Sequence, residues 1–306
     1  MKTISVASGI MEVPEIALGC MRTNQLEIRQ ARDLIYTAIE QGINFFDHAD
    51  IYSDGESERF FADAIEMNSS IREKIIIQTK CGIHRGVGFD FSKDHILKSV
   101  DGSLKRLKTD YIDVLLLHRP DALVEPEEVA EAFRILKESG KVRHFGVSNH
   151  NPYQIELLRK YLDDELLFNQ LQLSITHSLM IDHGLNVNME ISEGINRDGG
   201  VLDYCRLKDI TVQAWSPFHA GLGKDLFVDN PKYKGLNDKL AELAEKYNVT
   251  SNAIAVAWIL RHPAKIQTIV GTTNKDRLVE ICKSSDIALT RKEWYDLYLS
   301  SGKKLP

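Results

Sequence analysis

Short apolar runs alternate with longer amphipathic ones along the whole chain, and this rhythm predicts the fold. Residues 4–13 alternate around Ser8-Gly9 and predict a hairpin. Residues 16–18 form a brief strand. Leu26, Ala31, Leu34, Ile35, Ala38 and Ile39 then fall on one helical face, and Gln41-Gly42 ends that helix. The pattern repeats with strands at 43–46, 75–79, 112–117, 142–147, 166–171, 211–215 and 268–270. Helices are predicted at 56–67, 96–107, 126–138, 152–159, 201–207, 237–247, 251–261, 275–284 and 291–299.

The strands are short, β-branched and apolar without strict alternation, as expected of parallel strands covered on both faces. Eight such units in 306 residues predict an α/β fold. The specific expectation is a (β/α)8 TIM barrel with an N-terminal β-hairpin and an extra C-terminal helix, forming one domain over residues 1–306. An open doubly wound sheet is the competitor. It would call for G-x-G-x-x-G after the first strand, and Gly86-Val87-Gly88 and Gly221-Leu222-Gly223 both lack the third glycine. Residues 174–200 break the rhythm and predict an extended loop with short helical pieces.

Composition narrows the function classes. A net charge of −6 gives no electrostatic footprint for nucleic acid and no polybasic patch for a membrane surface. No apolar run approaches the roughly 20 residues that span a bilayer. The first residues lack the charged-then-apolar pattern of a signal peptide, so a cytoplasmic location is expected. Cys20, Cys81, Cys205 and Cys282 have no ligand-like spacing and are expected to be free buried thiols.

In a (β/α)8 barrel, chemistry sits where strands end. The ends here carry Met21 and Arg22, then Asp47 and Tyr52, Lys80, His118, Ser148 and Asn149, Gln170, Trp215, and Gly271 and Thr272. A tyrosine beside an ammonium is expected to be a more acidic proton donor, with an aspartate holding the lysine and a histidine orienting a carbonyl oxygen. That set suits carbonyl reduction, which needs a hydride-carrying cofactor. Trp215 offers a ring to stack on, and Ser148, Asn149 and Gln170 offer hydrogen bonds to a carboxamide. The helix beginning after Thr272 offers its N-terminus to phosphate, and Arg277 offers a cation for a ribose 2′-phosphate. Arg277 and Glu280, three apart on a helix, also fit a surface pair.

At this point the chain resembles the aldo-keto reductase superfamily. Asp47-His48-Ala49-Asp50-Ile51-Tyr52 is similar to its D-x-A-x-x-Y motif, and Lys141 through Asn149 to its G-K-[IV]-R-x-x-G-V-S-N signature. The strands ending at Lys80 and His118, Asn169-Gln170, Trp215-Ser216-Pro217, and Gly271 through Arg277 and Glu280 follow in the family's order. The resemblance implies Tyr52 as general acid, Lys80 and Asp47 as its tuning partners, and His118 as the carbonyl-orienting group. It further implies cofactor contacts at Met21, Arg22, Ser148, Asn149, Gln170, Trp215, Ser216, Phe218, Gly271, Thr272, Arg277 and Glu280. Gly271 stands where many members have Lys, and Ile281 where they have Asn. Both weaken a preference for NADP(H) over NAD(H), which Arg277 still favours. The chain stops soon after its last helix, so pocket closure is expected from 174–200 and from the loop 218–227. The expected partner is a small-molecule carbonyl substrate. Competing readings are a metal-dependent barrel hydrolase using Asp47, His48, Asp50 and His118, and a redox-sensing barrel that holds cofactor as a partner module.

Overall fold

The computed structural model describes residues 1–305. β1 (Thr3–Val6) and β2 (Met11–Pro14) pair antiparallel as the expected hairpin. β3 (Ile16–Gly19), β4 (Phe45–Asp47) and β5 (Ile76–Cys81) are the first three barrel strands. A second small hairpin, β6 (Ile83–His84) with β7 (Gly88–Phe89), follows. β8 (Ile112–Leu117), β9 (Val142–Ser148), β10 (Leu166–Gln172), β11 (Thr211–Trp215) and β12 (Gln267–Val270) complete the barrel. These eight strands pair parallel and close on themselves, with β12 bonded to β3. The fold is the predicted (β/α)8 barrel.

The helices are α1 (Ile28–Glu40), α2 (Glu56–Ala64), α3 (Ser69–Arg72), α4 (Lys93–Leu107), α5 (Pro126–Glu138) and α6 (Pro152–Arg159). They continue with α7 (Leu179–Leu185), α8 (Val201–Leu207), α9 (Lys234–Tyr247), α10 (Ser251–Leu260), α11 (Lys275–Cys282) and α12 (Arg291–Ser300). Ala31, Leu34, Ile35 and Ala38 are the buried face of α1, as their spacing predicts. A capping box between Glu27 and Gln30 starts that helix. α2 ends three residues earlier than its apolar pattern suggests, because Glu66 is left-handed at φ 52°. The β6–β7 hairpin had no sequence signal, since two-residue strands are too short to show alternation. No helix among the described residues is long and apolar enough to cross a membrane.

The hairpin seals one end of the barrel. Val6 and Val13 pack in one buried cluster with Ala17, Phe45, Leu116, Phe168 and Ile269. β9 and β10 approach so closely that a Cβ on Gly146 would lie 2.8 Å from the Phe168 carbonyl oxygen, which only glycine allows. The strand ends opposite the plug carry the polar residues discussed next.

Candidate active site

Strand pleating sorts the side chains. On β4, Phe46 faces the helical layer, its ring 5.1 Å from Phe61 of α2, while Asp47 is delivered to the barrel mouth. On β5, Thr79 donates outward to Glu58 of α2, while Gln78 and Lys80 reach Asp47.

Lys80 is fully buried. Its ammonium donates to Asp47 Oδ2 at 2.8 Å, to the His48 carbonyl at 2.8 Å and to Tyr52 Oη at 3.1 Å. An ammonium has three donors and no acceptor, so these three bonds exhaust it. Tyr52 Oη must then accept from Lys80, which leaves its own proton free to point elsewhere. Asp47 Oδ1 accepts from Gln78 at 2.6 Å and Gln170 at 2.9 Å. Both glutamines also donate to Gln213 Oε1, and Gln213 donates to Gln267, which donates to the Pro14 carbonyl. This amide chain links the carboxylate to the plug. Gln213 and Gln267 drew no attention in the sequence; their signal was an amide recurring in otherwise apolar strands.

The electrostatics differ from the expectation in one respect. Burial pushes Tyr52 above its ordinary value, and the opposing pull of Lys80 does not reverse this. Tyr52 is therefore a firmly protonated phenol, not an unusually acidic one. Burial alone would depress Lys80, but Asp47 and Tyr52 carry it above its usual value, so it stays an ammonium. Burial, with Lys80 and Arg119 nearby, holds His118 well below the ordinary imidazole range. Its ring is neutral at pH 7, stands 6.0 Å from Tyr52's at 79°, and has Nδ1 buried without a partner.

Tyr52, His118 and Asp47 open onto a cavity of about 700 Å³. Met21, Arg22, Ser148, Asn149, Gln170, Trp215, Ser216, Phe218, Gly271, Thr272 and Arg277 all line it. Asn149 is left-handed at φ 60°, and its Oδ1 accepts from the Trp215 indole at 3.2 Å, which fixes that ring. The amide of Gln170 is already committed to Asp47 and Gln213, so only its oxygen remains for a ligand. Arg22 donates to the Gly271 carbonyl at 2.7 Å. Asn274 caps α11 by accepting from the Arg277 amide at 2.8 Å. An aromatic wall, amides and two arginines beside a helix N-terminus fit a nicotinamide dinucleotide. Glu280 is the exception: it lies outside the cavity lining and pairs with Lys283 at 2.7 Å. Neither half of the expected Arg277–Glu280 surface pair is therefore paired with the other.

His48 and Asp50 lie outside the cavity. His48 is fully buried, its ring 4.6 Å from Phe61 and both nitrogens unpartnered, and burial pulls its pKa down to about 3. Burial first and Glu58 second push Asp50 up to about 7. No group of three His, Cys, Asp or Glu side chains able to hold a metal ion occurs among the described residues. All four cysteines are buried and unpaired.

A side cavity of about 430 Å³ adjoins the main one, sharing Arg119, Asn149, Gln172, Trp215 and Leu222. Segment 174–200 contributes His177, Leu179, Met180, Arg197 and Asp198 to it, whereas the loop 218–226 walls the main cavity. Of the two expected closing segments, 174–200 thus borders the side cavity, and the loop 218–227 borders the main one and reaches the side cavity through Leu222.

Comparison with known proteins gives one result. The model for the Aldo/keto reductase family matches residues 15–298. The chain is 36% identical to the uncharacterized oxidoreductase YcsN of Bacillus subtilis, over all of both chains. It is 34% identical to the 6-dehydroglucose reductase of Agrobacterium fabrum, covering 89% of this chain and 88% of that one. Among solved structures it is similar to the thermostable aldo-keto reductase Tm1743 in complex with the inhibitor epalrestat. The TM-score there is 0.76 at 25% identity, covering 98% of this chain and 100% of that one.

Proposed function

The chain belongs to the aldo/keto reductase family, and from that premise we propose that it reduces aldehyde or ketone carbonyls to alcohols with NADPH, using Tyr52 as general acid. The carrying observation is the saturated Lys80 ammonium. Because Tyr52 Oη accepts from Lys80, its proton is the one group of this line free to be given to a carbonyl oxygen. The neutral His118 ring is suited to hold that oxygen by a hydrogen bond. The bound cofactor supplies the hydride. As negative charge grows on the oxygen, Tyr52 releases its proton, and the phenolate left behind is balanced by Lys80, itself held charged by Asp47.

Ser148, Asn149 and the Gln170 oxygen are assigned to the carboxamide, and Trp215 to the ring face. Arg22, Ser216, Phe218, Gly271 and Thr272 are assigned to the dinucleotide backbone, with Met21 beside them. Arg277 is assigned to the 2′-phosphate, which favours NADP(H) over NAD(H). Glu280, one turn along α11 and paired with Lys283, is assigned to the outer end of the dinucleotide. With its pKa at or above the ordinary phenol value, Tyr52 is protonated at neutral pH, the form a general acid needs.

The test follows NADPH absorbance across a panel of aldehydes, ketones and dicarbonyls. Tyr52→Phe is expected to lose on the order of 10²–10⁴ in turnover, with NADPH affinity by fluorescence quenching kept. Near-normal turnover in that variant refutes the general-acid role.

A further inference from the structure

Arg119 follows His118 directly at the end of β8, yet the proton-delivery line does not use it. It is half-buried, with its guanidinium 5.7 Å from the centre of the Trp215 ring. Among the described residues it makes no side-chain hydrogen bond and no ion pair, and arginine stays protonated at any physiological pH. A partly desolvated cation with no anion beside it is costly unless something else supplies the charge.

The surroundings say what that something is. Arg119 stands at the boundary of the two cavities and lines both. Gln172 also lines both, and its amide nitrogen is buried with no hydrogen-bond partner, a second donor without an acceptor. The ionisable groups around the side cavity are few. Burial holds His150 down at about 4, and His177 also lies below its ordinary value, so both are neutral. Arg197 is exposed and donates through Nη1 to the carbonyls of Ser192 and Ile195. The one acid, Asp198, already accepts from the Gly200 and Val201 amides at the start of α8. The side-cavity lining thus holds two arginines and one carboxylate. The arginines assigned to cofactor phosphates, Arg22 and Arg277, line the main cavity and not this one.

We propose that Arg119, with Gln172 of the same cavity linings, forms a subsite for a carboxylate carried by the carbonyl substrate, whose tail occupies the side cavity. This rests on the carbonyl-reductase reading of the site. A carbonyl oxygen held between Tyr52 and His118 leaves the rest of the molecule next to Arg119, one residue on. The planar guanidinium fork matches a carboxylate in two parallel hydrogen bonds, and the Gln172 amide adds a third donor. Arg119 thereby sets specificity and takes no part in proton transfer.

The experiment compares kcat/KM for short ω-oxocarboxylates and their methyl esters, which keep the chain and lose the charge. The wild type is expected to prefer the acids by about tenfold, the scale of one charge-assisted hydrogen bond. Arg119→Gln is expected to bring that ratio close to one, and Arg119→Lys to restore part of it. Equal use of acid and ester by the wild type, or a preference that survives Arg119→Gln, overturns the subsite while leaving the reductase reading intact. If no carbonyl oxidises NADPH, the reductase reading fails. Equilibrium binding of glutarate, which has no carbonyl, then decides the subsite: about tenfold weaker binding to Arg119→Gln supports it, and equal binding overturns it.

Discussion

Replacing Lys80 by methionine keeps an unbranched side chain of similar reach and removes only the charge and its donors. The structure sets the consequences. Asp47 is 3% exposed and loses its partner at Oδ2, keeping only the two glutamine amides at Oδ1. The His48 carbonyl loses its donor as well. Breaking a buried pair from one side costs about 3–5 kcal/mol, because the remaining charge stays buried without compensation. Asp47→Asn with Lys80→Met removes both charges, and Asn Oδ1 can still accept from Gln78 and Gln170. The double variant is expected to recover about 2 kcal/mol of the single variant's loss, within the usual range for residues in contact. Urea unfolding at pH 7 measures this, with NADPH oxidation followed on the same samples. Turnover is expected to stay low in both variants, since neither has a cation to balance the Tyr52 phenolate. A loss below about 1 kcal/mol in Lys80→Met, or a double variant no more stable than the single one, refutes the picture of a desolvated pair whose charges depend on each other.

Two further outcomes follow from the same geometry. Arg277→Ala is expected to weaken NADPH binding by about tenfold while changing NADH binding little, the size of one lost charge-assisted contact; equal losses in fluorescence titrations count against the 2′-phosphate assignment. Asp50→Asn tests the buried acid. Its folded pKa of about 7 lies above the unfolded value of 3.8, so the folded state holds its proton where the unfolded state has released it. Stability is therefore lost as pH rises from the unfolded value to about 7, by at most about 4 kcal/mol. The asparagine variant should gain on the wild type over that window and hold its advantage above it. A difference in urea stability that is the same at pH 5 and pH 8 would contradict the assignment.

The barrel was legible because each of its eight strands is a short apolar run set off by turn residues or helices, and nothing in tertiary packing overrides such a pattern. What escaped was decided by backbone detail or by very short elements. Glu66 in the left-handed region stops α2 although Met67 continues the apolar spacing. The β6–β7 hairpin is held by two register pairs, too few for any periodicity. At the site, residue types at strand ends were enough to select Asp47, Tyr52, Lys80 and His118, because parity along a strand and the position of its end fix which side chains meet. Burial, by contrast, is a property of the closed barrel. The sequence allowed Lys80 to be weighed against Tyr52 and gave the ammonium the upper hand; the fold adds desolvation, which outweighs it.

The same distinction explains why the substrate side resisted reading. Arg119 sits inside the recognisable run His118-Arg119-Pro120, and a cation next to a strand end is ordinarily a solvated one. Only the folded structure shows that Arg119 has no acid partner and that an amide donor in the same cavity lining is also left without an acceptor. Unmet hydrogen-bonding capacity is invisible in a sequence, since it depends on which partners fail to arrive. In a native fold such groups are few, because each costs about 1–3 kcal/mol when buried. Lys80 and Asp47 satisfy one another inside this protein, so they can carry a reaction shared across a family. Arg119 and Gln172 Nε2 have no hydrogen-bond partner among the described residues, so a ligand can complete them, and they are where this chain's own selectivity can reside.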